Sequence, residues 1–164
     1  MTDLSTSKLA SLIGKRHACL EQLLKLGVKQ SELIASGEIG TLLRLLSVKS
    51  QLFVSLQSIE QQLSPFHEQK PENRQWDSDQ QHQECSRQAG ECRELLDQVM
   101  RLESENEMKM IQRRDQVSRQ LQTAQSSASA RKAYHAQDSR PQSNHLALNS
   151  VTASPSHLDI LTGP

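Results

Sequence analysis

His82, Cys85 and Cys92 stand three and seven residues apart, so a helix running through them sets an imidazole and two thiols on roughly one face. Both are soft metal ligands, and a fourth from His67 or from another chain would complete a zinc site. Structural zinc sites, however, pair cysteines about two to four residues apart on a turn, and that spacing is missing here. The reading taken is the apolar one, in which Cys85 and Cys92 are small hydrophobes in a helix seam. Elsewhere no glycine-rich phosphate loop, no nucleophile elbow and no paired carboxylates in a cleft can be found. The alternating Glu103, Glu105 and Glu107 suggest a solvated helix face, and the six histidines sit mostly in connecting segments. Neither catalysis nor a cofactor is expected.

Composition narrows the fold that must position these groups. Aromatics are 2% of the chain, only Phe53, Phe66, Trp76 and Tyr134, which excludes a thick core of stacked rings. Fifteen Leu and four Ile fall between Leu4 and Leu63 instead, the signature of helices packing side by side. Nineteen basic and nineteen acidic side chains cancel, so the electrostatic footprint of a nucleic-acid binder is absent. Three cysteines in helical context, with no secretory leader pattern, point to a reducing cytoplasmic setting. No window approaches eighteen consecutive apolar residues, and no membrane insertion is expected.

The apolar spacing predicts an all-α chain. A first helix over about 5–35 begins at the Ser5, Thr6, Ser7 cluster, whose hydroxyls can cap free N–H groups, and ends before Gly37. A second over 39–63 stops at Ser64 and Pro65, and the short connection makes the two an antiparallel hairpin. Residues 64–77 read as a linker. Asp77 or Ser78, with Gln80 or Gln81 three residues on, forms a capping-box pattern that opens a third helix over 78–124. The helical domain is therefore 1–124, a hairpin plus a long third helix in a coiled-coil-like arrangement. The remainder, 125–164, reads as a flexible tail, disordered from 137, although alanine and glutamine permit the helix to continue over 125–136.

The third helix carries the informative pattern. Cys85, Ala89, Cys92, Leu96, Val99, Glu103, Asn106, Met110, Arg113 and Val117 keep heptad rhythm, with polar residues in the middle. Packing against the hairpin accounts for Cys85 to Val99. The stretch from Leu102 onward, with its methionines, has features that such packing does not require. Methionine is flexible and polarizable, suited to surfaces that accept a partner helix. An alternative is a homodimeric coiled-coil adaptor pairing Leu102–Leu121 with its own copy.

Three segments resemble the FlgN family of flagellar type III export chaperones. They are His17–Leu24 with Gln30–Glu38, then Leu42–Leu52, and then Leu102–Asn106 together with the later Tyr134. The chain departs from the family at Lys109, where a second asparagine is common, and no glycine soon follows Tyr134. The resemblance covers roughly 9–135. It implies a non-enzymatic cytoplasmic chaperone that binds C-terminal helical segments of hook-filament junction proteins and delivers them to an export-gate protein. By the same resemblance the client surface would include Val99, Leu102, Asn106, Met110, Ile111, Val117 and Leu121, with Tyr134 contacting the export gate. A monomer or weak homodimer is expected.

Overall fold

The computed structural model describes residues 4–139, and over them the chain forms three α-helices and no strand. Helix α1 spans Thr6–Ser36, α2 Ile39–Glu68 and α3 Asp79–Asp138, with a short 3-10 turn at Pro71–Asn73 before α3. The all-α hairpin with a long third helix is thus the fold. The disorder expected from 137 onward lies almost wholly outside the described residues. The chain divides into two units, Met1–Leu121 and Gln122–Pro164.

Local chemistry explains the ends. Ser5 caps α1, its hydroxyl accepting from the Lys8 N–H at 3.3 Å. Gly37 closes the helix in the left-handed region at φ 76, donating its N–H to the Leu33 carbonyl at 3.0 Å. A side chain there would be strained, and Arg113 of α3 lies against the same turn. At the start of α3 the Ser78 hydroxyl accepts from the Gln81 N–H, and the Gln81 side chain accepts from the Asp77 N–H.

Two bounds differ from the sequence reading. Helix α2 runs through Pro65 to Glu68 instead of stopping at residue 63. A proline inside a helix costs about 3 kcal/mol, and full burial of a phenylalanine returns about 1.5–3 kcal/mol. Phe66 is 2% exposed among Leu9, Leu63 and Cys85, and Arg74 donates to its carbonyl at 2.7 Å, so packing holds the last turn in place. Helix α3 continues past 124 to Asp138, where alanine, glutamine and arginine supply helix propensity without burial.

In the first unit the core is built in three clusters. Leu9, Leu12, Ile13, Ile59, Leu63, Phe66 and Cys85 form one; Cys19, Leu20, Leu23, Cys92 and Val99 the next. Leu33, Ile34, Leu42 and Leu45 form the third, beside the α1–α2 turn. By length and composition α2 meets the test for a membrane span, with mean hydropathy 1.3 over a window of which 17% is buried. Its buried face also carries Lys49, ion-paired to α3, which marks it as a member of the bundle.

The cysteines belong to this core. Cys85 and Cys92 sit in different clusters, while His82 stacks on Trp76 with ring centroids 4.7 Å apart. Among the described residues no group of three His, Cys, Asp or Glu is placed to hold a metal ion. Burial pushes all three thiols above their ordinary range, because the thiolate would lose hydration. Thiol-disulfide reagents at pH 8 are therefore expected to label the native chain at least about tenfold more slowly than the chain in guanidinium, where three thiols react. Equal rates in the two states would contradict this burial.

Candidate partner-binding site

The heptad line of α3 is the line that faces the hairpin. Its buried members are Cys85, Cys92, Val99 and Asn106, seven residues apart throughout, with Ala89, Leu96, Glu103, Met110 and Arg113 half-buried between and beyond them. A sevenfold repeat keeps one stripe of a long helix against its neighbours.

The polar break in this line is a built contact. Lys49 of α2, 2% exposed, donates from Nζ to Gln30 of α1 at 2.5 Å and pairs with Glu103 of α3. Gln30 also reaches Met110 Sδ from Nε2 at 3.5 Å. One turn along α3, Asn106 is fully buried and donates from Nδ2 to the Gly27 carbonyl at 2.8 Å. Its Oδ1 has no partner among the described residues. Gly27 lets the helices approach here: a Cβ on it would stand 2.8 Å from Leu102 Cδ2. Glu103 is therefore not part of a solvated face, and three helices are tied at one level by charge and amide groups.

Beside this tie lies an open groove of about 890 Å³. Its apolar lining is Phe53 and Leu56 of α2 with Leu96, Val99, Met100, Met110 and Ile111 of α3, and Gln30, Glu103, Ser104, Glu107 and Arg114 supply polar edges. Phe53, Met100 and Ile111 are 39%, 64% and 43% exposed, so the groove presents apolar side chains to solvent. Residues 1–141 match the FlgN protein family. The chain belongs to that family. It is a flagellar export chaperone by that membership, and no curated protein and no solved structure matches it.

The residues expected to meet a client of this FlgN-family chain divide among different places. Val99, Met110 and Ile111 come together in the groove. Leu102 is half-buried over Gly27 and does not line the groove, and Asn106, fully enclosed at the same crossing, offers no surface. Val117 and Leu121 are exposed further along α3 and do not line the groove. Tyr134, 74% exposed, belongs to the second unit, where it stands on helix. Phe53, Leu56, Leu96 and Met100 complete the groove without having been expected there. The available signal was position: Phe53 and Met100 each follow an inward-facing residue, Leu52 and Val99, on the adjacent strip of the helix.

Proposed function

We propose that this chain binds C-terminal helical segments of hook-filament junction proteins in the cytoplasm, keeps them unpolymerised and delivers them to the flagellar type III export gate. The observation that carries this reading is the open groove between α2 and α3, long enough along α3, from Leu96 to Arg114, to take several turns of an amphipathic helix. Such a segment would cover its apolar face with Phe53, Met100 and Ile111, replacing the contacts it makes later in a filament. Two nearby methionines in the wall, Met100 and Met110, allow repacking around clients of different sequence. Tyr134 serves as the contact for the export-gate protein, a ring giving much contact area for little lost freedom.

The test uses synthetic peptides covering the C-terminal segments of hook-filament junction proteins from the same organism. Ile111→Asp and Met100→Asp are expected to weaken binding at least about tenfold, since each places a charge in an interface otherwise apolar. Both positions are exposed, so helicity by circular dichroism is expected to stay unchanged. Tyr134→Ala is expected to leave peptide binding intact and reduce export. Unchanged affinity in both aspartate variants would sink the assigned surface. An obligate dimer by light scattering, with the groove closed by a second copy, would favour the coiled-coil adaptor instead.

A further inference from the structure

A second and smaller cavity, of about 230 Å³, lies where the connection before α3 crosses the end of the hairpin. Its apolar lining is Leu9, Ile13, Leu63, Phe66 and Ala89, closed on one side by the Trp76–His82 stack. Arg74 and Arg93 both line it, and no Asp or Glu does. Arg74 donates from Nη2 to the Phe66 carbonyl at 2.7 Å and from Nε to Gln69 at 3.4 Å, so its Nη1 donors remain available. Neither guanidinium has a carboxylate at ion-pair distance among the described residues.

This combination selects a ligand chemistry. A guanidinium pairs best with a carboxylate through charge-assisted, often bidentate hydrogen bonds. The floor beneath is hydrocarbon apart from the buried Cys85 thiol, a weak donor, while the polar His67 and Ser86 stand exposed at the rim, so it favours a hydrocarbon body. The volume falls below the roughly 300–1,000 Å³ of sites for drug-sized ligands, which restricts that body to a short one. We propose that the cavity binds a small apolar monocarboxylate, its body against Leu9, Phe66 and Trp76 and its carboxylate on Arg74 and Arg93. The same chemistry is presented by a free short-chain acid or by the apolar terminal residue of a polypeptide. The site is separate from the client groove and does not depend on it.

Trp76 is the single tryptophan of the chain and forms part of the cavity wall, so its emission reports directly. Titrating the full chain with octanoate is expected to change that emission saturably, with matching heat by calorimetry. 1-Octanol, which keeps the body and removes the charge, is expected to bind at least tenfold more weakly. Arg93 is exposed, so Arg93→Gln is expected to preserve circular dichroism and weaken octanoate at least tenfold, while Arg93→Lys retains part of the affinity. Acetyl-Gly-Gly-Leu with a free C-terminus, compared with its amide, identifies the source: if the free peptide competes more tightly than octanoate, the ligand is a chain terminus, otherwise a free acid. Equal binding of octanol and octanoate, no saturable signal by either method, or an unaltered titration in Arg93→Gln would overturn the assignment.

Discussion

Lys49→Met is expected to destabilise the first unit by about 2–4 kcal/mol, read as a lower urea midpoint with unchanged slope. The ammonium is 2% exposed and held by groups from both other helices, Gln30 and Glu103. Removing it leaves the half-buried Glu103 carboxylate and the enclosed Gln30 amide oxygen without that donor. Breaking a fully buried ion pair costs about 3–5 kcal/mol, and the lower figure applies because the Glu103 side chain is 34% exposed and can recover some hydration. The triple variant Lys49→Met, Glu103→Leu, Gln30→Leu removes all three polar groups together and is expected to return to within about 1.5 kcal/mol of the starting chain. A small effect of Lys49→Met alone would show that Glu103 turns outward to water, and that the tie does not exist in solution.

The consequence extends to the groove. Gln30 and Glu103 both line it, so the polar tie fixes the register of α3 against α2 at the place where the client is proposed to lie. Apolar seams alone permit neighbouring registers of similar energy, whereas a buried polar group is satisfied in only one. The triple variant is thus expected to fold stably yet bind the client peptides less tightly than the original chain.

How much of this was readable beforehand depends on the range of each interaction. The heptad from Cys85 to Arg113 identified the inward line of α3, because spacing alone decides which side chains share a face, while Val117, next on the same line, is exposed. The meaning of Glu103 and Asn106 on that line was not readable. Their partners lie 54 and 79 residues away, and nothing in the local pattern of α3 announces a lysine on α2 or a carbonyl on α1. Reading Glu103 as part of a solvated face was the natural local inference, and its pairing with Lys49 of α2 overturns it for that residue. The end of α2 failed similarly: Pro65 gives a local stop signal, and the burial of Phe66 overrides it. The groove needs both helices at once, so Phe53 and Met100 showed in sequence only as apolar residues in excess of the stripe.

Gly27→Val is expected to cost about 3–5 kcal/mol, the sum of overpacking and a lost buried hydrogen bond. A Cβ at this position would already stand 2.8 Å from Leu102 Cδ2 and 3.3 Å from its Cγ. Alanine sets two opposing effects against each other: it gains about 0.8–1 kcal/mol of helix propensity and costs about 1–3 kcal/mol in overlap, relieved in part because the end of a leucine can shift. A modest net loss is expected for Gly27→Ala. Valine adds two methyl groups to the same crowded spot and forces α3 away, stretching the 2.8 Å bond from Asn106 to the Gly27 carbonyl. Asn106, whose Oδ1 already lacks a partner, then loses its remaining contact while still enclosed. Leu102→Ala in the Gly27→Val background is expected to recover a large part of the loss, by opening room for the new side chain. Equal destabilisation with and without Leu102→Ala would mean that the cost arises within α1 alone, and that the close crossing of α1 and α3 does not set the position of the third helix.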